Sequence, residues 1–127
     1  MPGAGRHEWE SQDPYPAVDN GHGTGVDFHD AFAPDVPADA AKLAAAAQRP
    51  VTDIAFGEAA TEPAWKTFPS WFVYGDHDTA IPPKLHAFMA ERAHPRATSV
   101  VAGASHVVMI SHADAVAKVI EDAANAR

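Results

Sequence analysis

Two short apolar runs in this chain end in residues that could share a proton. Trp71-Phe72-Val73-Tyr74 leads into Gly75-Asp76-His77-Asp78, and a run centred on Ser99-Val100-Val101 leads into Gly103-Ala104-Ser105-His106. A carboxylate beside an imidazole makes a general base: the acid stays ionised, fixes the ring's tautomer and stabilises the imidazolium formed when the ring takes a proton from a nucleophile. The candidate catalytic pair is Asp78 and His106. Taken singly, each has a plainer explanation. An aspartate before Ile81-Pro82-Pro83 suits a helix start, and His106 could be an ordinary loop histidine. The joint placement is what points to chemistry.

A serine nucleophile on a sharp strand-to-helix turn needs glycines on both sides, and no Gly-x-Ser-x-Gly run occurs among the 127 residues. Gly21-His22-Gly23-Thr24-Gly25 has the glycine spacing, but Gly23 stands where the serine would be and neither flank reads as a buried strand. Ser105 lacks a helix directly after it, and a hydroxyl there is expected to bond the local backbone.

Strand supports are needed to present the pair. Trp71 to Tyr74 and Thr98 to Ala102 read as continuous apolar strands, buried on both faces. Between them Pro82-Pro83 opens a helix with Leu85, Phe88, Met89 and Ala93 at helical spacing, closed by Pro95. After them Ser111-His112-Ala113-Asp114 is a capping-box-like start to a helix reaching about Asn125, with Ala113, Val116, Ala117, Ile120 and Ala124 inward. Strand, helix, strand, helix is a βαβα unit, whose strands are expected to be parallel. Parallel neighbours put both carboxyl ends on one edge, where open α/β sheets place their ligand crevice.

Upstream, residues 1–27 hold five of the eight glycines and three prolines, and read as irregular chain. A helical pattern follows from Asp27 to Arg49, with Ala40, Leu43, Ala44 and Ala47 as a thin apolar stripe, and Pro50 stops it. Residues 51–69 read as a loop with one helical turn. The organisation is thus 1–27 irregular, 28–68 helical segment and linker, and 69–127 the α/β portion.

Composition narrows the function. Seventeen acidic residues against nine basic ones give a net charge of −8, which disfavours attraction to nucleic-acid phosphates. The absence of cysteine excludes disulfides, thiolate metal sites and a cysteine nucleophile, and fits a reducing compartment. No apolar run approaches a membrane span, and Glu8, Glu10, Asp13 and Asp19 in the first twenty residues do not form a secretory signal. A cytoplasmic location is the expectation.

From roughly residue 27 to 125 the sequence resembles the carboxyl-terminal part of α/β-hydrolase fold proteins of the esterase-like kind. Pro69-Ser70-Trp71-Phe72-Val73-Tyr74-Gly75-Asp76-His77-Asp78-Thr79-Ala80-Ile81-Pro82-Pro83 is similar to that family's strand and acid turn, and His86 to Ala93 to the helix after it. Ala104-Ser105-His106-Val107-Val108-Met109-Ile110-Ser111-His112 is similar to its catalytic-histidine loop, and Phe28 to Pro37 to part of the inserted cap. The resemblance implies an α/β fold in which this chain supplies two parallel strands of the sheet, with Asp78 rather than Asp76 as the acid and His106 rather than His112 as the base. It also implies hydrolysis of a small-molecule ester or amide without a cofactor. The family's first strands, oxyanion loop and serine elbow have no counterpart here.

Four readings follow. The chain is a carboxyl-terminal piece of a hydrolase, from a truncated gene or a misplaced start, inactive alone; or it is completed by a second chain carrying the serine, a partner that two open sheet edges would permit. Those edges also predict self-association. From other classes, Asp76, His77 and Asp78 among eight scattered histidines could serve a metal-binding module. The surfaces of Trp9, Trp65 and Trp71 could serve a small non-catalytic binding module.

Overall fold

The computed structural model describes residues 18–19, 26–49 and 53–126. Strands β1 (Val18–Asp19) and β2 (Val26–Asp27) form a two-residue parallel bridge, so the segment expected to be irregular holds at least this pairing. The elbow-like Gly21–Gly25 run lies outside the described residues.

The single helix expected from Asp27 to Arg49 is in fact two. Helix α1 (Phe28–Phe32) starts on Asp27, whose carboxylate accepts the Asp30 N–H at 3.2 Å, and α2 runs Ala38–Ala46. Between them Pro34 and Pro37 lack the N–H that a continuous helix needs, and the chain turns instead. The apolar stripe is rotated as well. Ala41 and Ala45 are buried and Leu43 is exposed, because α2 packs on α1 and the turn: Phe28, Ala33, Val36, Ala41 and Ala45 form the buried cluster, with Phe32, Ala44 and Val107 against it. Phe28 and Phe32 stack at 5.4 Å. In the linker, α3 (Asp53–Gly57) and a 3₁₀ turn (Ala64–Lys66) replace the one helical turn expected.

The βαβα unit forms as its pattern requires. Strands β3 (Trp71–Gly75) and β4 (Ala97–Val101) are parallel, with Trp71 opposite Ala97 and Gly75 opposite Val101, and α4 (Pro83–Ala93) connects them. The ladder extends at both ends through Arg96 N–H to Ser70 O (2.8 Å) and Asp76 N–H to Val101 O (3.1 Å). Helix α4 ends on His94, which takes the left-handed conformation at φ 47° just before Pro95. Helices α5 (Val108–Ser111) and α6 (Ala113–Asn125) follow.

Burial of the strands on both faces is not what the structure has. Tyr74 and Gly75 are buried, but β4 is largely open, with Val100 53% exposed. The helices correct the sequence in the same direction. On α4 the covered side is His86, Met89, Ala90 and Ala93, while Leu85 and Phe88 are exposed. The capping box at Ser111 does not form either: His112 stands at the N-cap without a side-chain cap, because α5 already occupies Val108–Ser111. On α6 the half-buried side is Ala115, Val116, Val119 and Ala123, and Ile120 is 63% exposed. Among the described residues β3 and β4 pair only with each other, and two strands are too narrow to cover both flanking helices.

Candidate functional site

The parallel register sets the two strand ends side by side, and the turns beyond them bring the candidate residues together. Asp78 follows β3 by three residues and His106 follows β4 by five. The Asp78 side chain is 2% exposed, and its oxygens are fully occupied. Oδ1 accepts the backbone N–H groups of Ala80 and Ile81, both at 2.9 Å, in a turn that aims the carboxylate back over the sheet edge. Oδ2 accepts His106 Nδ1 at 2.9 Å and His86 Nε2 at 2.8 Å. Burial pushes the Asp78 carboxyl up, but the hydrogen bonds from Ile81, His86 and His106 outweigh it and hold the group below its ordinary value of 3.8. An ionised carboxylate only accepts, so both rings must donate. In the neutral His106 ring the proton therefore sits on Nδ1, and Nε2 carries the lone pair.

Asp76 is employed elsewhere. Its Oδ1 accepts the Gly103 N–H and His77 Nδ1, each at 2.6 Å, and these two bonds, His77 first, lower its pKa. That carboxylate splints the acid turn to the turn after β4, where Gly103 has φ 76°. Gly75 makes the second splint. A Cβ there would lie 2.5 Å from the Ala104 carbonyl carbon and 2.8 Å from Ser105 O, so only glycine lets the end of β3 lie against the histidine loop. His77 N–H to Ala104 O, at 3.1 Å, completes the contact.

The other face of that loop is held by the segment after β2, a role that sequence reasoning missed. Phe32 O accepts the Ser105 hydroxyl at 3.0 Å and the Val107 N–H at 3.3 Å, and Asp35 Oδ2 accepts the Ser105 N–H at 3.0 Å. The Phe32 ring meets the His106 ring edge-on at 5.3 Å. Ser105 is thus 1% exposed and bonded chiefly to a distant carbonyl, rather than only to its local backbone as the sequence suggested, and its hydroxyl is unavailable as a nucleophile. His112 lies 3.7 Å from Asp35, away from Asp78. Burial raises the Asp35 pKa, yet hydrogen bonds from Ser105 and Ser111 bring it below 3.8.

Three aspartates with depressed pKa values, Asp35, Asp76 and Asp78, make a pH prediction with a definite sign. Their stabilising contribution is complete above the unfolded value and disappears as pH falls through the lower folded values. The urea midpoint should therefore decline below about pH 4, and Asp78→Asn should flatten that decline. A wild-type midpoint unchanged down to about pH 3 would contradict it.

Asp78, His86 and His106 also put three donor atoms within 4.8 Å of one another, a different set from the Asp76, His77 and Asp78 suggested by sequence. Ligands of a tetrahedral zinc stand about 3.3 Å apart for bonds of about 2.0 to 2.1 Å. Here each ring nitrogen lies closer than that to the carboxylate oxygen, at ordinary hydrogen-bond lengths. In the Asp27, His29 and Asp30 group at the start of α1 the two aspartates are exposed, and the half-buried His29 ring bonds the Val36 carbonyl at 2.9 Å. The tryptophans carry cations rather than a bare surface: Arg92 and Lys66 lie over Trp65 at 5.1 and 5.6 Å, and Arg96 over Trp71 at 5.7 Å, while Trp9 lies outside the described residues.

No helix among the described residues is long and apolar enough to cross a membrane. No curated protein matches the chain. The family model described as the alpha/beta hydrolase family matches residues 2–119, which is most of the sequence and includes the acid turn, the histidine loop and the two parallel strands that carry them. On that match, with α/β architecture to support it, this chain belongs to the alpha/beta hydrolase family.

Proposed function

We propose that this chain supplies the acid and base of an ester- or amide-hydrolysing site, with His106 as general base and Asp78 as its partner. The observation that carries the reading is the 2.9 Å bond from His106 Nδ1 to a carboxylate whose side chain is 2% exposed. The His106 side chain is 32% exposed, so a hydroxyl could approach the ring from solvent. Nε2 would take the proton of an attacking serine hydroxyl as its oxygen bonds the substrate carbonyl carbon, and would return it to the leaving group; Asp78 would stabilise the imidazolium between the two events. The chain has no Gly-x-Ser-x-Gly run, and the proposed site therefore takes its nucleophile from outside these 127 residues.

The purified chain should show no burst and negligible turnover on small activated esters, and no labelling by a serine-directed phosphonate. A protein in which this chain is extended by a segment carrying a Gly-x-Ser-x-Gly serine should react with the phosphonate, and lose about 10³- to 10⁴-fold in kcat on His106→Ala. Acyl-enzyme formation by the chain alone would overturn the absence of a nucleophile. An extended protein that turned over equally well with His106→Ala would overturn the role of His106.

Self-association belongs to the same reading. The uncovered faces of β4 and α6, and the edges of β3 and β4 that pair with no further strand among the described residues, favour pairing between copies despite the charge of −8. Size exclusion should give oligomers that grow with concentration, together with binding of a dye for exposed apolar surface. A sharp monomer peak at all concentrations, without dye binding, would show that these faces are tolerated in water.

A further inference from the structure

His86 is the group at the site that general-base chemistry does not require. It lies on α4, its side chain is 14% exposed, and its ring stacks on Tyr74 at 4.8 Å with an interplanar angle of 15°. Packing alone would be served by an apolar side chain. An imidazole buried there must find a hydrogen-bond partner, and it finds the same oxygen that His106 uses.

We propose that His86 is a positioning residue: by donating Nε2–H to Asp78 Oδ2 it fills the last acceptor site of the carboxylate, and so holds Asp78 and, through it, the working tautomer of His106. The proposal rests on the reading of Asp78 and His106 as the acid–base pair. A carboxylate oxygen has two lone-pair directions, and Asp78 has four in all. Ala80 and Ile81 take those on Oδ1, and His86 and His106 take those on Oδ2. With all four filled, the carboxylate has no site left for a proton or a water molecule, and rotation about its Cβ–Cγ bond would break every bond at once. Without His86 one direction on a buried anion is empty, and only the bonds from Ala80, Ile81 and His106 oppose a turn of Oδ2 away from His106. His106 is the more exposed of the two rings, so it remains the one that meets substrate. Tyr74 and the backbone of α4 fix the angle from which His86 donates.

The tautomers can be read in the ¹⁵N-labelled full chain by long-range ¹H–¹⁵N spectra at neutral pH. His86 should be protonated on Nε2 and His106 on Nδ1, with a slowly exchanging, downfield Nδ1 proton on His106. His86→Phe keeps a ring against Tyr74 but removes the donor, and should speed exchange of that proton about tenfold or more, or mix the His106 tautomers. His86→Gln, whose amide nitrogen stands where Nε2 did, should restore slow exchange. Wild-type His86 protonated on Nδ1 overturns the proposal directly, as does a folded His86→Phe chain with unchanged His106 exchange and tautomer. If His86→Phe does not fold, the wild-type His86 tautomer decides alone. None of these signals depends on hydrolysis, so failure of the extended protein to turn over ester would remove the hydrolase reading while leaving the role of His86 to these spectra.

Discussion

Asp78→Ala should cost the fold about 3 to 5 kcal/mol, the usual result of removing one member of a buried, hydrogen-bonded charge network. Four donors converge on this one side chain, and alanine leaves the Ala80 and Ile81 N–H groups and both imidazoles without their acceptor. Asp78→Asn separates stability from chemistry. Its amide oxygen can still accept from the acid turn, but the amide NH₂ would then face two rings that both donate, and His106 must move its proton to Nε2 to avoid the conflict. In the extended protein that change should lower kcat by about 10⁴-fold with a smaller loss of stability than alanine causes. Urea unfolding followed by tryptophan fluorescence, at one fixed low protein concentration, gives the first quantity, and steady-state ester hydrolysis the second. Equal stability of Asp78→Ala and wild type would mean that the network is not made in solution.

Gly75→Val is expected to be as severe, through sterics rather than charge. The end of β3 touches the backbone of Ala104 and Ser105, so the added side chain meets main chain, which cannot swing aside as a flexible side chain could. Relief requires the histidine loop to lift off the strand, breaking His77 N–H to Ala104 O and straining the Gly103 N–H bond to Asp76. A cost on the order of 4 kcal/mol or more is expected, together with loss of the slowly exchanging His106 Nδ1 proton, because lifting the loop withdraws the ring from Asp78. Gly57→Ala serves as the control, since a Cβ there meets nothing within 4 Å. A Gly75→Val chain with wild-type midpoint and His106 signal would show that the loop accommodates the side chain.

The strand ends were legible because their signals are local and periodic. An apolar run closed by Gly75 and a second closed by Gly103 predict strands, and the helix between them predicts a parallel pair; register then follows, and with it the meeting of Asp78 and His106. The helix faces were less legible. Reading α4 by hydropathy selects Leu85 and Phe88, but His86 lies on the covered side because its ring has both a stacking partner and an acceptor there. A polar residue turned inward by a hydrogen bond looks, in sequence, like one turned outward by water. Likewise the alanines of α2 are too alike for hydropathy to say which face is in, and Pro34 and Pro37 divided a helix that composition alone would have continued.

What the sequence determined by itself was the family, the parallel strand pair and the two residues brought to one sheet edge, since strand period, turn residues and chain order are all written along the chain. Only the tertiary structure decided what holds them. Phe32 and Asp35 grip the histidine loop across sequence separations of 73 and 70 residues, and His86 completes the acid's hydrogen bonds from a helix of its own. Such bonds depend on where folded elements come to rest, and a contact between distant residues leaves no period or spacing in the chain from which it could be read.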